Sequence, residues 1–280
     1  MSKVKILTDS SVQLTPEEIE KYDIGVVPLT ISIDEKTYTD GVDITREEFV
    51  REMDASKDLP KTSQPSIGTF MSVIDKIPAD YTDILSLNMT PAISGTINAA
   101  RQVADMTDRH MEVFNTEFTD RAQGFQVIKA AKLAQEGKSL DEIKEAIETV
   151  RKNTRLYMGV TSIENILRGG RLSKFAGTLS TLLNINLVLV VKNDSLDVVK
   201  RGRGRKTIEK YMDNVIAEIK SLENIKAIGI SYVDKLDYVN ELKEKLAEIV
   251  PNVPLLIRVT SPVIATHAGS GAFAIEFYTE

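Results

Sequence analysis

Short apolar runs alternate with amphipathic stretches along the first half of the chain, and this alternation is its clearest structural signal. Apolar runs of this length are typical of buried strands, whereas the amphipathic stretches have the three-to-four-residue spacing of helices. Strands and helices that alternate in this way build a mostly parallel sheet covered by helices. The runs predicted as strands are residues 4–7, 25–33, 84–87 and 111–114.

Three of the predicted helices begin with a capping box. Thr15, Thr45 and Ser139 are each followed three residues later by a glutamate. In this motif the hydroxyl binds a free amide of the first helical turn, and the glutamate binds the amide of the capping residue in return. Helix starts that follow strands also matter for function, because parallel sheets bind ligands beyond the carboxyl ends of their strands.

The second half of the chain has a different pattern. Residues 120–153, interrupted by Gly137, predict two consecutive helices that close a first domain. Residues 192–194 have the composition of a hairpin turn between two apolar runs, so the second sheet is expected to be mixed. We therefore predict two α/β domains, residues 1–154 and 155–280, with a ligand between them or beside them. The strand candidates of the second domain are residues 156–160, 187–191, 196–199, 227–232, 255–260 and 272–278.

Composition supports this organisation. A chain of 280 residues is near the length at which a second domain forms. It contains no cysteine, which excludes disulfides, thiolate metal sites and cysteine nucleophiles. The N-terminus has no signal-peptide apolar core, and no apolar run approaches the ~20 residues that span a membrane. We therefore expect a cytoplasmic protein without stable membrane insertion.

Charge is unevenly distributed. The net charge of −6 disfavours bulk attraction to nucleic acid or to an anionic membrane. One stretch, residues 200–206, is nevertheless strongly basic, and we refer to it as the basic segment. A nucleic-acid-binding module is a hypothesis that rests on this segment alone, and a solvated loop between a hairpin and a helix explains it equally. Its cationic residues are Lys200, Arg201, Arg203, Arg205 and Lys206.

Three clusters of hydroxyl side chains are expected in loops beside the first sheet. They are centred on Ser10, Thr62 and Ser94. Each cluster taken alone is explained by helix capping or by a polar turn. Three clusters are harder to explain in this way, because a helix start needs only one capping oxygen. A hydroxyl at a helix N-terminus followed by a glycine, as in Ser94-Gly95, is also suited to binding an anion.

The chain has two histidines, and they differ in their surroundings. His110 lies among polar residues ahead of a predicted strand and is expected to be solvated. His267 lies among small residues in a segment that we expect to be a loop before the last strand, and Ser261-Pro262 ahead of this segment is a helix-start signature. Small neighbours allow a ligand to approach closely, and an imidazole can donate a hydrogen bond to an anion. We therefore favour a functional role for His267.

The motifs of several enzyme classes are missing. The elbow G-x-S-x-G is not present around Ser94, because Ala92 occupies the place of the first glycine. Residues 202–207 do not fit the phosphate-binding P-loop, and no metal-binding motif is found. A serine esterase that uses Ser94 and His267 remains the alternative to a binding protein.

Five motifs together resemble one known family, the DegV family of bacterial fatty-acid-binding proteins, which includes the binding subunit of the fatty acid kinase system. The resemblance extends over nearly the whole chain and implies a DegV-like α/β fold with two domains. The motifs are residues 8–11 (TDSS), 61–66 (KTSQPS), 93–96 (ISGT), 170–174 (GRLSK) and 266–272 (THAGSGA).

The resemblance implies a carrier without enzymatic activity of its own, and without a cofactor or metal. A long-chain fatty acid would be buried in the protein, in exchange with a membrane only transiently, and its carboxylate would be held by Thr62, Ser94 and His267. A partner kinase subunit would convert that carboxylate to an acyl phosphate. Supporting positions would be Ser10, Ser63, Gly95, Thr96 and Thr266, and the residues expected to dock the kinase are Arg171, Arg201, Arg203 and Arg205. Candidates to line an acyl tunnel are residues 70–74 and 185–191, although ordinary core packing explains both.

Overall fold

The computed structural model describes residues 3–172 and 185–280. Its strands and helices are numbered separately in chain order. The strands are β1 Val4–Asp9, β2 Gly25–Val27, β3 Thr30–Ile33, β4 Lys36–Thr39, β5 Lys61–Ser63, β6 Asp83–Asn88, β7 His110–Asn115, β8 Thr154–Val160, β9 Ile185–Lys192, β10 Ser195–Arg203, β11 Ile225–Tyr232, β12 Leu255–Val259 and β13 Phe273–Thr279. The helices are α1 Pro16–Lys21, α2 Arg46–Ala55, α3 Ile67–Ile74, α4 Thr96–Met106, α5 Asp120–Gln135, α6 Leu140–Asn153, α7 Glu164–Arg168, α8 Lys206–Ser221, α9 Asp237–Ile249 and α10 Pro262–Ala268.

A parallel sheet forms the first half of the protein, as the sequence predicts. Its strand order is β2-β1-β6-β7, and all three pairings are parallel. The capping boxes at Thr15, Thr45 and Ser139 are all present, which confirms the predicted starts of α1, α2 and α6. Gly137 adopts a positive φ of 76° between α5 and α6, so the predicted break between these helices is also confirmed.

The single strand predicted for residues 25–33 is wrong. The segment forms β2 and β3, which belong to two different sheets. Pro28 lies between them, and because proline has no amide hydrogen to donate, it interrupts the hydrogen-bonding ladder. After this break β3 pairs with β4 and β5 in a separate antiparallel sheet of order β4-β3-β5.

A mixed sheet forms the second half, again as predicted. Its order is β10-β9-β8-β13-β11-β12, with β11 and β12 parallel and the other neighbours antiparallel. The hairpin between β9 and β10 has positive φ at both Asn193 and Asp194, the geometry of a two-residue turn that matches strand twist. β8 begins at Thr154, but the division into two domains stays a prediction.

The basic segment is not a loop. Residues up to Arg203 belong to β10, which pairs with β9 as far as Ile185. The antiparallel hairpin extends beyond the apolar residues 196–199 because β9 offers a full-length partner strand. Arg205 then precedes α8 directly, with its guanidinium 2.7 Å from Glu209 and 5.0 Å from the centre of the Tyr238 ring.

Arginine side chains join the two halves of the chain. Arg46 donates to the carbonyl of Val259 at 2.9 Å and to that of Val12 at 3.1 Å. Arg121, at the start of α5, is buried and forms two hydrogen bonds with the carboxylate of Glu18 at 2.7 and 2.8 Å. The Arg46 contacts link the first half of the chain to the second. The Arg121–Glu18 pair lies within the first half, and the Arg121 side chain also packs against Gly229 of β11.

Candidate functional site

A cavity lies between the three sheets. Most of the side chains around it are apolar, and they come from segments far apart in the chain. The lining residues are Leu29, Thr62, Gln64, Met89, Ile93, Ser94, Thr119, Asp120, Leu156, Met158, Ile166, Arg171, Val191, Leu196, Val263, Ile264, His267, Ala268 and Ala274.

The three residues implied to hold a carboxylate all line this cavity. Thr62 lies on β5, Ser94 two residues before α4, and His267 in the last turn of α10. Thr62 Oγ1 and His267 Nε2 are 2.8 Å apart, within hydrogen-bonding distance. All three side chains are half-buried, so a ligand group can reach them.

Two of these positions are not in loops, contrary to the sequence prediction. Residues 61–63 form β5 because they pair with β3, with Thr62 opposite Ile31. The helix start predicted at Ser261-Pro262 is confirmed, because Ser261 caps the first turn and Pro262 occupies its first position. The helix continues through His267, so only the loop expected at this residue is wrong. The helix ends at Gly269, whose φ of 78° is readily adopted only by glycine. Thr62 and His267 are therefore held by regular elements, which fixes their geometry.

His267 is neutral at pH 7. Burial, reinforced by the positive charge of Arg171, lowers the pKa of the imidazole to about 4. Nδ1 is buried and has no hydrogen-bond partner within the described residues. A proton on Nε2 leaves a bare lone pair at Nδ1, whereas a proton on Nδ1 would bury an unpaired N–H. The favoured tautomer therefore donates from Nε2 to Thr62, and the Thr62 hydroxyl hydrogen stays available for a ligand.

A glycine makes room for this imidazole. Gly169 follows α7, and a Cβ built on it would overlap His267 Nδ1. Any larger side chain at this position would displace the ring and disturb its hydrogen bond to Thr62. Sequence reasoning missed Gly169, since its partner is almost a hundred residues away in the chain.

The second hydroxyl group of the site is part of a local turn. Ser94 Oγ accepts a hydrogen bond from the Thr96 amide at 3.2 Å and lies 2.8 Å from Thr96 Oγ1. Gly95 caps α4, and a Cβ on Gly95 would overlap the side-chain oxygen of Gln64. Because Gly95 has no side chain, the Gln64 amide can lie against it. Gln64 lines the cavity, but it was not among the predicted site residues.

Arg171 lies at the cavity rather than with the basic segment. It donates to the carbonyl of Ile93 at 3.1 Å and to that of Gly169 at 2.6 Å. Burial lowers the pKa of its guanidinium. The rest of its motif, Ser173 and Lys174, lies outside the described residues.

The remaining supporting positions do not line the cavity. Ser10 is buried, donates to Asp40 Oδ2 at 2.8 Å and accepts from the Leu29 amide at 3.0 Å. Ser63 is exposed on β5, and Thr266 donates to a carbonyl of its own helix at 2.9 Å. Ser10 therefore does not contact a ligand in the cavity, but its hydrogen bond positions the backbone of Leu29, which lines the cavity.

The tunnel lining suggested by the sequence is only partly correct. Val191 lines the cavity, as residues 185–191 suggest. Phe70 and Ile74 of α3 instead pack in a core cluster with Leu7 and Val27. The apolar face of α3 is covered by the parallel sheet, so it is not available to the cavity.

The arrangement does not form a hydrolytic triad. His267 bonds Thr62 rather than Ser94, and no carboxylate orients its Nδ1 within the described residues. In the described ranges, no group of three or more His, Cys, Asp or Glu side chains is placed to hold a metal ion. Nor does any helix of residues 3–172 and 185–280 have the length and apolarity needed to cross a membrane.

Comparisons with known proteins agree with the fold and with the sequence motifs. Residues 3–280 match the model of the DegV family, described as uncharacterised proteins. The chain is 43% identical over 276 residues to a DegV domain-containing protein of Streptococcus pneumoniae, with 98% of each covered. Among solved structures it is similar to DegV from Bacillus subtilis, a fatty acid binding protein, with a TM-score of 0.92, 27% identity and full coverage of both chains. A fatty acid binding DegV family protein from Streptococcus agalactiae has a TM-score of 0.89 and 28% identity, also over both full chains.

Proposed function

The chain belongs to the DegV family, and from this premise we propose that it binds a long-chain fatty acid. The acyl chain occupies the cavity, and the carboxylate is held by the hydroxyls of Thr62 and Ser94, with His267 orienting the Thr62 hydroxyl. The observation that carries the proposal is the hydrogen-bonded pair of Thr62 and His267 at the wall of a mostly apolar cavity. The fatty-acid-binding relatives in Bacillus subtilis and Streptococcus agalactiae support the same ligand class.

The electrostatics of the pair suit a carboxylate that must remain reactive. His267 is neutral, and with its proton on Nε2 the Thr62 hydroxyl can donate to a carboxylate oxygen. Neutral donors bind a carboxylate without neutralising it in a tight ion pair. Most of the affinity then comes from the acyl chain, at ~0.8 kcal/mol for each buried CH₂ group.

Removing either hydroxyl is expected to weaken binding of stearic acid about tenfold, the effect of losing one hydrogen bond to a charged group. The variants are Thr62→Ala and Ser94→Ala, measured by calorimetric titration of delipidated protein. The exposed neighbour Ser63 provides the matched control, and Ser63→Ala should bind like the wild type.

Titration with methyl stearate distinguishes the contribution of the carboxylate to binding from that of the acyl chain. The neutral ester carbonyl of this ligand accepts a weaker hydrogen bond than a carboxylate, so Thr62→Ala and Ser94→Ala should lose less affinity for methyl stearate than for stearic acid. Mass spectrometry of organic extracts from the purified wild type should identify a co-purified fatty acid. A wild type that neither contains a fatty acid nor binds stearic acid contradicts the proposed function.

We further propose that the bound carboxylate is presented to a kinase subunit. A carboxylate oxygen would attack the γ-phosphorus of ATP, forming an acyl phosphate and releasing ADP. The chain's own sequence lacks a P-loop motif, so the nucleotide would come from the partner. Arg201 and Arg203 suit docking, because they are exposed on the edge strand β10 and form no ion pair within the described residues. Arg205 is less suited, since Glu209 already binds it.

Charge reversal at the edge strand tests this step. The double variant Arg201→Glu and Arg203→Glu should raise the KM of a fatty acid kinase catalytic subunit for the loaded protein by at least about tenfold, as expected for lost charge complementarity. Its affinity for stearic acid should not change. Lys220→Glu, an exposed change on α8, is the control. An unchanged KM would show that β10 does not dock the kinase.

A further inference from the structure

Two adjacent polar side chains in the cavity wall have no role in holding the carboxylate. Thr119 and Asp120 both line the cavity and are buried, with 7% and 3% of their surface exposed. Thr119 Oγ1 and Asp120 Oδ1 are both buried and have no hydrogen-bond partner within the described residues. A buried polar atom without a partner is costly, so two such atoms side by side in a cavity wall call for a ligand.

The orientation of Thr119 is unusual for its position. It is the N-cap residue of α5, where a threonine hydroxyl ordinarily accepts a hydrogen bond from the first helical turn. Here the hydroxyl caps nothing, and Asp120, the first helical residue, has a φ of 56°. The distorted first turn leaves the Thr119 hydroxyl at the cavity, where it is free to donate or accept.

The other carboxylate oxygen of Asp120 has a hydrogen-bond partner in the protein. Asp120 Oδ2 accepts a hydrogen bond from Thr260 Oγ1 at 2.6 Å. Ser231 lies near Asp120 as well, but it has one hydroxyl hydrogen and donates it to Glu276 Oε1 at 3.0 Å. Asp120 lines the cavity, and its Oδ1 therefore keeps an acceptor lone pair that no described residue fills.

We propose that Thr119 and Asp120 form a subsite for a hydroxyl group carried on the acyl chain, so that the cavity accepts hydroxylated fatty acids. This inference rests on the proposed function. The ligand hydroxyl would donate its hydrogen to Asp120 Oδ1, and its oxygen would accept from the Thr119 hydroxyl. A hydroxyl can donate to one of these atoms and accept from the other, and it brings no charge into a mostly apolar cavity.

Matched ligands and a matched pair of variants test the subsite. Stearic acid and a series of monohydroxystearic acids, each with the hydroxyl at a different carbon, are titrated into the delipidated protein. At least one hydroxylated acid should bind the wild type as tightly as stearic acid or more tightly. Thr119→Val should weaken that acid about tenfold, while its affinity for stearic acid stays within about twofold.

Thr119→Ser retains the hydroxyl and should preserve the preference for the hydroxylated acid. Valine has nearly the shape of threonine, and because Thr119 Oγ1 bonds nothing in the described protein, Thr119→Val should fold normally. The subsite is refuted when stearic acid binds but every hydroxylated acid is disfavoured equally in the wild type and in Thr119→Val. When stearic acid itself does not bind the wild type, the proposed function fails as well.

Discussion

An Arg121→Ala variant is expected to lose about 3–5 kcal/mol of unfolding free energy, the range for breaking a buried ion pair by removing one partner. Arg121 bonds both carboxylate oxygens of Glu18 and also donates to the carbonyl of Gln13 at 3.0 Å. Burial raises the pKa of Glu18, but the hydrogen bonds and charge of Arg121 outweigh this and hold it below its usual value. Without the arginine, a partly buried carboxylate and a buried carbonyl lose their donor.

The Arg121 side chain also fills space between the two halves of the protein. Its side chain packs against Gly229 on β11, where an added Cβ would lie 2.5 Å from Arg121 Cγ. Truncation to alanine therefore leaves a void between the two halves of the protein as well as an unpaired charge.

Equilibrium denaturation of the wild type and the variant measures the effect. Lys129→Ala is the control, because the Lys129 pair with Glu280 is about one-third exposed on both sides and should contribute less than about 1 kcal/mol. A loss of less than about 1 kcal/mol for Arg121→Ala would show that the Arg121–Glu18 pair contributes little to stability.

The second large effect is expected when the cavity is filled. Ala274, on the central strand β13, is buried, lines the cavity and pairs with Met158 of β8. An Ala274→Phe variant places an aromatic ring in the space proposed for the acyl chain. Displacing about four CH₂ groups at ~0.8 kcal/mol each corresponds to an affinity loss of at least about a hundredfold.

Binding of stearic acid by calorimetry checks this loss, and thermal unfolding without ligand confirms that the variant is folded. Ala217→Phe places the same ring on the exposed face of α8 and should bind normally. A folded Ala274→Phe protein that keeps wild-type affinity would show that the acyl chain lies elsewhere.

Features that depend on contacts within a few residues were predicted well. The boxes at Thr15, Thr45 and Ser139 specify where helices begin, because each box closes its hydrogen bonds within four residues. The turn at residues 193–194 specifies an antiparallel hairpin for the same reason. The resemblance to the DegV family also led to the residues that line the cavity, although the sequence alone could not place them there.

Features that depend on distant partners were not predicted. β5 is a strand only because β3 lies beside it, and the basic segment is a strand only because β9 is long enough to pair with it. Gln64 packs against Gly95, and Gly169 packs against His267. Both partners come from other parts of the chain, so no local sequence pattern indicates that Gln64 and Gly169 belong to the site. A local pattern contains no information on such packing.

Local patterning alone therefore specified the alternation of strands and helices, the three helix starts with capping boxes and the mixed character of the second sheet. Tertiary structure alone placed Thr62 and His267 2.8 Å apart, although 205 positions separate them in the chain. It also decided that Thr119 and Asp120 lack partners within the described residues, since that depends on every neighbour around them. The physical reason is range: capping and turn hydrogen bonds close within a few residues, whereas a cavity is formed by side chains that meet only after the whole chain has packed.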